Sequence, residues 1–157
     1  IYICRDMYKN LVPLNLPKPE LKLAKKDNIL MVWDNLRKKY LKLTPEEWVR
    51  QHFVHYMKSL KYPETCIALE GGFRINDQLK RTDIMVYKNG KAAMIIECKA
   101  PQVPISQKTM DQASSYNSHY KVDYLILSNG LKHIAAKCDF ENQKYLQLKQ
   151  IPSFDEL

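Results

Sequence analysis

The sequence predicts a mixed α/β domain, α+β in its strand arrangement, with a central mixed β-sheet flanked by helices. An Asn89-Gly90 pair between two apolar, β-branched runs within residues 81–101 is a strong signal for a β-hairpin. Stretches with helical apolar periodicity and capping residues precede and follow this hairpin. The 157 residues can bury one sizeable core but not two, so we expect a single domain.

The composition favours a soluble protein with a polyanionic partner. The formal charge of +8 and the pI near 9.2 point first to nucleic acid, although lysine-rich surfaces also serve solubility. The four cysteines are scattered without paired spacing, which indicates reduced thiols rather than a disulfide framework or a zinc site. No apolar run approaches the ~18 residues of a membrane span, and Arg5-Asp6 interrupts any signal peptide. We therefore expect a cytoplasmic protein.

The first part of the chain is predicted to hold an arm followed by a helix. Residues 1–26, which include three prolines, are expected to form an extended N-terminal arm. A first helix is predicted from Asp27, as its N-cap, to about Tyr40, with an apolar stripe along one face. The basic residues near its end suit the negative end of the helix dipole, an interpretation that we favour over a dedicated DNA-binding patch. These residues are Arg37, Lys38, Lys39 and Lys42.

A second helix is predicted to begin at Thr44-Pro45-Glu46-Glu47 and to end before Tyr62-Pro63. Its opening combines a capping box with proline at the first helical position. In that box the Glu47 side chain reaches back to the N-cap amide, and we favour this structural role over a catalytic one. A strand follows at roughly residues 66–74, where Gly71-Gly72 suggests a bulge or a close backbone approach.

Beyond the hairpin, Ser106 is expected to cap a third helix of about Gln107 to Tyr120. Gln112 and Tyr116 stand four residues apart and therefore share a face of that helix. Strands are then predicted at residues 122–128, 131–138 and 144–148. We expect the main domain to cover residues 27–150 and a C-terminal tail to cover residues 151–157.

Charged side chains interrupt the strands of the predicted hairpin. The run from Ala92 to Ile96 has the composition of a buried strand, yet it leads directly into Glu97 and Lys99. Side chains alternate along a strand, so these two point to the same side of the sheet. The partner strand carries Asp83. Charged side chains are rarely buried without partners, and such local inconsistencies are expected at functional sites.

The register of the hairpin decides whether Asp83 joins the other two charges. A two-residue loop at Asn89-Gly90 places Asp83 on the face away from Glu97. A three-residue loop, in which Gly90 is left-handed within a G1 bulge, places Asp83, Glu97 and Lys99 on one face. We predict the three-residue loop, because it alone of the two gathers both acids and the lysine.

Two carboxylates and an amine on one sheet face suit a hard divalent cation. Mg²⁺ prefers oxygen ligands and keeps several waters, so one or two carboxylates are enough. The ion can generate a hydroxide nucleophile and neutralise phosphodiester charge, while the Lys99 ammonium would orient that water or stabilise the transition state. The alternative is a structural Glu97–Lys99 pair with Asp83 capping a strand end. The spacing alone leaves both interpretations open.

Five short motifs follow one another between residues 44 and 135. They are Pro45-Glu46-Glu47-Trp48-Val49-Arg50-Gln51, Arg81-Thr82-Asp83-Ile84, Ile96-Glu97-Cys98-Lys99-Ala100-Pro101, Gln112-Ala113-Ser114-Ser115-Tyr116 and Leu127-Ser128-Asn129-Gly130. In this order they resemble the PD-(D/E)xK nuclease superfamily, most closely the N-terminal nuclease domain of type I restriction enzyme R subunits. The resemblance implies a restriction-endonuclease-like core.

The resemblance also implies roles for particular residues. Asp83 and Glu97 would bind Mg²⁺, with Mn²⁺ as a substitute, and Lys99 would be the catalytic lysine. Gln112 and Tyr116 would form a motif beside the site, and Glu47 looks like the family's helix acid, which sometimes helps to hold the metal through water.

A Mg²⁺-dependent endonuclease domain for double-stranded DNA is the implied activity. In the family this domain precedes an ATP-driven translocase and works with methylation and specificity subunits. No Gly-x-x-x-x-Gly-Lys-Ser/Thr phosphate loop occurs in the 157 residues, so we do not expect the translocase within them. The alternative is a nuclease-like fold that serves as a nucleic-acid or protein binding module with little or no activity.

Overall fold

The computed structural model of the chain describes residues 11–75 and 78–157, and it describes residues 70–75, 78–82 and Tyr116 by their backbone alone. The first element is a small antiparallel sheet of three strands in the order β1-β2-β3. Its strands are β1 (Leu23–Lys26), β2 (Ile29–Asp34) and β3 (Lys39–Lys42).

The helix predicted for residues 27–40 is therefore wrong, since this segment forms two β-strands and their turns. Asp27 and Asn28 both have positive φ, 48° and 64°, and they form a two-residue turn rather than a helix N-cap. The apolar run that follows is short, and such runs fit a strand and a helix face equally well. The predicted extended arm also contains β1.

A six-stranded mixed sheet forms the centre of the molecule, with two helices in the chain around it. The strand order is β4-β5-β6-β7-β8-β9, in which β6 and β7 are parallel and all other neighbours are antiparallel. The elements are α1 (Pro45–Ser59), β4 (Ile67–Ile75), β5 (Gln78–Lys88), β6 (Lys91–Cys98), α2 (Gln107–Tyr120), β7 (Tyr124–Ser128), β8 (His133–Asp139) and β9 (Lys144–Leu148). The predicted α+β class with a mixed sheet flanked by helices is confirmed.

Local signals located these elements well. Thr44 caps α1, with Pro45 at its first position, and Ser106 caps α2 in a capping box with Thr109. The pairing of β4 with β5 keeps one register along its length, so the bulge suggested by Gly71-Gly72 is not formed.

The turn between β5 and β6 differs from the predicted three-residue loop. Lys88 pairs with Lys91, so that the loop has two residues. Asn89 and Gly90 have φ values of 52° and 75°, which is the left-handed pair that a type I′ turn requires. The predicted three-residue loop is therefore wrong, and the turn is the two-residue alternative.

A bulge further along the hairpin changes this register before the acidic residues are reached. Tyr87 pairs with Ala92 whereas Val86 pairs with Met94, which leaves Ala93 as an extra residue in β6. The shifted pairing then continues to Ile84 opposite Ile96. One step further along the same register, Asp83 stands level with Glu97.

The two helices cover opposite faces of the central sheet. Three residues of α1, Val49, Phe53 and Met57, pack with Ile84 and with Ile96 in one buried cluster. The other face carries a second cluster, to which α2 contributes Met110 and the sheet contributes Met85, Ile95, Leu125 and Leu127. Alternation along β5 and β6 places Asp83, in the middle of β5, and Glu97, near the end of β6, on the α2 side.

The residues predicted as a C-terminal tail pack against the domain. Ile151 is buried, and the Tyr62 hydroxyl donates a hydrogen bond to the Pro152 carbonyl at 2.8 Å. The Phe154 amide donates to the Leu60 carbonyl at 3.1 Å. In the part of the chain that the structure describes, no helix is long and apolar enough to cross a membrane.

Candidate active site

Asp83 lies in the middle of β5, and Glu97 and Lys99 lie at the end of β6 and just beyond it. The backbone amide of Cys98 donates a hydrogen bond of 2.6 Å to Oδ2 of Asp83. The Lys99 ammonium lies 2.7 Å from Oε1 of Glu97 and forms an ion pair with it. The Lys99 side chain is 35% exposed and that of Glu97 is 18% exposed, so the pair lies at the surface end of the cluster.

Burial and like charge raise the pKa of Asp83 to about 7. Desolvation is the larger cause, and the negative charge of Glu97 is the second. The hydrogen bond from Cys98 and the positive charges of Lys99 and Arg50 act in the opposite direction but do not cancel these effects. Burial and the neighbouring acid therefore disfavour the ionised form of Asp83 in spite of the nearby positive charges.

A buried ion network joins α1 to the three-stranded sheet. Arg50, which is 4% exposed, donates to Oδ2 of Asp34 at 2.5 Å and to Oε2 of Glu47 at 2.9 Å. Gln51 donates to Glu47 at 2.8 Å. The charge of Arg50 acts on Asp83, so the network forms part of the electrostatic surroundings of the acid pair.

Glu47 does not complete the predicted capping box. Its amide donates to the Thr44 hydroxyl at 3.1 Å, but its carboxylate accepts hydrogen bonds from Arg50 and Gln51 instead of from the N-cap amide. The Thr44 amide donates to the Lys42 carbonyl at 3.1 Å. The buried guanidinium requires carboxylate partners, and this requirement directs the Glu47 side chain inward.

A family model of the type I restriction enzyme R protein N terminus matches residues 45–152. The chain belongs to this family. The match begins at the first residue of α1 and runs past β9, so it includes both acids and Lys99. The strands β1, β2 and β3 lie outside it. None of the curated proteins matches the chain.

A solved structure agrees with this membership. It is a fragment assigned to an HsdR subunit of a type I restriction enzyme from Vibrio vulnificus YJ016, and it is 20% identical with a TM-score of 0.55. The likeness covers 73% of this chain and 24% of that one, so the chain spans about a quarter of its length. At this identity the likeness bears on the fold alone, and the fold that it supports is restriction-endonuclease-like.

The remaining two predicted site residues, Gln112 and Tyr116, lie on helix α2. This helix packs on the same side of the sheet as the acids, and the Gln112 side chain is exposed to solvent. The Tyr116 side chain lies outside the described part of the chain. Gln112 therefore lies on the helix that covers the acids' side of the sheet, and its role beside the site stays a prediction.

The residues predicted to bind a metal ion, Asp83 and Glu97, offer two carboxylates. Among the described residues, no group of three or more histidine, cysteine, aspartate or glutamate side chains could hold a metal ion. Two carboxylates are enough for Mg²⁺, which completes its shell with water, but not for a structural Zn²⁺ site. Oδ2 of Asp83 and Oε1 of Glu97 accept the hydrogen bonds described above.

Sequence reasoning missed Asp34 and Arg50. Arg50 follows Glu47 by three residues on a helix, and this spacing could have suggested their ion pair. The assignment of residues 27–40 to a helix hid Asp34, because its contact with Arg50 depends on where β2 lies.

Proposed function

We propose that this chain is a Mg²⁺-dependent endonuclease domain of the R-subunit type, which hydrolyses phosphodiester bonds in double-stranded DNA. The observation that carries the proposal is the acid pair, in which burial and Glu97 raise the pKa of Asp83 to about 7. Two close carboxylates repel each other, and a divalent cation between them would remove that repulsion. Membership of the R-protein N-terminal family supports the same activity.

Asp83 and Glu97 would hold the cation, with Mn²⁺ as a substitute for Mg²⁺. When bound, the ion would supply charge for the phosphodiester and lower the pKa of a water molecule. The hydrogen bond from the Cys98 amide to Oδ2 restrains the Asp83 carboxylate. The chain thus prepares the ligands before the ion arrives.

Lys99 is the proposed catalytic lysine. Its ammonium forms an ion pair with Oε1 of Glu97 at 2.7 Å, so it would lie beside the proposed cation. Positive charge there would stabilise the negative charge that develops on the phosphate oxygens. Glu47 would help to hold the cation through a water molecule. We give this role less weight, because the Glu47 carboxylate already accepts hydrogen bonds from Arg50 and Gln51. Gln112 and Tyr116 remain proposed contacts beside the site.

The whole enzyme would need more than this chain. We propose that the domain acts beside a translocase and together with methylation and specificity subunits, as the family membership suggests. The chain spans 24% of the HsdR fragment to which it is similar, so those activities would belong to other parts of such a protein.

A second candidate function is a binding module with little activity. The closed Glu97–Lys99 ion pair favours it, because this pair satisfies both charges without a metal ion. In that case Asp83 would be a buried acid that is about half protonated at pH 7. The two candidates differ in whether the acid pair binds a divalent ion.

Plasmid nicking and calorimetry with Mn²⁺ separate the two candidates. The wild-type chain should convert supercoiled plasmid to the open circle with Mg²⁺ or Mn²⁺ and not with EDTA. Glu97→Gln keeps the side-chain size, removes a ligand charge, and should abolish both cleavage and the heat of Mn²⁺ binding. Glu141→Gln removes an exposed acid outside the site and serves as the matched control. Intact plasmid and no Mn²⁺ heat with wild-type protein would establish the binding module instead.

A further inference from the structure

The outward face of the β1–β3 sheet is a second charged surface, separate from the acid pair. Residues 22–42 contain seven lysine and arginine residues against two aspartates, a net of +5 out of the chain's +8. One of the two, Asp34, is 2% exposed and lies beneath the sheet, bound to Arg50. The charge that this sheet presents to solvent is therefore almost entirely positive.

Strand pairing separates the inward face of this sheet from the outward one. Leu23 and Val32 pair with each other and are both buried, so their row faces the protein together with Asp34. The alternate positions of β2 face outward. These positions and their partners on the neighbouring strands are Ile29 with Lys26, Met31 with Ala24 and Lys42, and Trp33 with Tyr40; of these residues, the small Ala24 is buried.

The outward face has an apolar centre and basic edges. Ile29, Met31 and Trp33 run along the central strand, and Ile29 is 43% exposed. The Tyr40 ring packs edge-on against the Trp33 ring with their centroids 5.2 Å apart. Lysines flank this row on both edges: Lys22 and Lys26 on the β1 side and Lys42 on the β3 side.

In the part of the chain that the structure describes, no acid forms an ion pair with Lys22, Lys26 or Lys42. The helix-dipole role predicted for Lys42 is wrong, because residues 27–40 form strands. Three exposed ammonium groups around an aromatic centre suit a partner with negative charge and flat apolar groups.

We propose that this face binds single-stranded DNA. Phosphates would lie against Lys22, Lys26 and Lys42, and bases would stack on Trp33 and Tyr40. Single strands expose both their phosphates and their base faces, whereas a duplex hides the base faces, and basic grooves with aromatic platforms are the usual single-strand sites. The proposal concerns binding without metal, so it stands whether or not the acid pair cleaves DNA.

The test is binding of a 20-nucleotide oligo-dT, in EDTA, measured by anisotropy and by tryptophan fluorescence. The chain has two tryptophans, and Trp48 is 6% exposed with its indole N–H bonded to the Val12 carbonyl, so quenching reports on Trp33. Trp33→Ala should weaken oligo-dT binding about tenfold, since base stacking contributes roughly this much per base. The same substitution should change the affinity for a duplex of the same length by less than about twofold.

A charge-matched pair of variants completes the test. Lys26→Ala/Lys42→Ala should weaken binding and make the slope of log affinity against log salt shallower by about 1.4, from ~0.7 per phosphate contact. Lys91→Ala/Lys149→Ala removes the same charge from exposed residues elsewhere and should change neither quantity appreciably. If both double variants weaken binding equally, or if duplex quenches Trp33 as oligo-dT does, the proposal is overturned. Trp33→Phe, which keeps a ring, covers the case in which Trp33→Ala does not fold: it should bind oligo-dT without the quenching.

Discussion

Replacing Arg50 tests the buried ion network most directly. Arg50→Met keeps much of the side-chain volume but removes the cation that contacts both Asp34 and Glu47. Asp34 is 2% exposed, and it would keep only Arg37 at 3.1 Å and Gln51 at 3.3 Å as side-chain partners. Removing one partner of a buried ion pair costs about 3–5 kcal/mol. We expect a loss of this size in the free energy of unfolding at pH 7.

The loss should depend on pH in a defined direction. Desolvation raises the pKa of Asp34, but hydrogen bonds and charges from Arg37 and Arg50 outweigh it and keep the pKa below its usual value. A depressed pKa gives stability that is present above the pKa of the unfolded state, about 4, and is lost as the pH falls through the folded-state value. The difference between wild type and Arg50→Met should therefore shrink as the pH is lowered below about 4.

Urea denaturation, followed by circular dichroism at pH 7 and pH 3.5, measures this effect. Lys58→Met serves as the control, because Lys58 pairs with Glu64 while both side chains are exposed, 39% and 48%. Such a pair contributes less than about 1 kcal/mol. A loss below about 1 kcal/mol for Arg50→Met, or a loss that does not change with pH, would refute the reasoning.

Three further predictions concern the site and its supports. Lys99→Ala should remove plasmid cleavage but leave Mn²⁺ affinity unchanged or tighter, because the ammonium competes with the ion for Glu97; weaker Mn²⁺ binding by calorimetry would instead make Lys99 a structural partner. Asp83→Asn should raise the free energy of unfolding by about 1–3 kcal/mol at pH 8 without metal, because the raised pKa of Asp83 means that its charge destabilises the fold as the pH rises from about 4 to about 7; a thermal melt that shows no gain contradicts this. Gly130→Ala should cost about 2 kcal/mol in urea denaturation, since Gly130 has φ of 82° and a Cβ there would lie 2.7 Å from Leu14 Cδ2; an unchanged midpoint would show that Leu14 moves aside freely.

Sequence patterns located the elements whose signals are local. The predicted bounds of α2 and β9 match the structure, because Ser106 caps α2 directly and β9 follows a turn of polar residues. The segment 27–40 was wrongly assigned because its structure depends on residues outside the segment. Its apolar residues fit a helical stripe, and only pairing with β1 and β3, which periodicity cannot report, shows that they form strands.

The site was harder to predict than the fold. The hairpin argument predicted Asp83 and Glu97 on one face, but it used the wrong loop. The turn has two residues, and the bulge at Ala93 then shifts the register so that the two acids stand level. Bulges leave little trace in a single sequence. The contact between Asp34 and Arg50 joins residues from two separate elements, so no local pattern could have given it.

The bulge at Ala93 has a consequence for how the hairpin tolerates change. It takes up the one-residue mismatch between the turn and the acid end of the hairpin, so the pairing of Ile84 with Ile96 is set by core packing rather than by the loop. The positions of the two acids therefore do not depend on the exact conformation of the turn. Asn89 and Gly90 are exposed, and a side chain added at Gly90 would meet no atom within 4 Å. A fluorophore or a short peptide tag could be inserted at this turn to follow the domain on DNA, while Asp83 and Glu97 keep their positions.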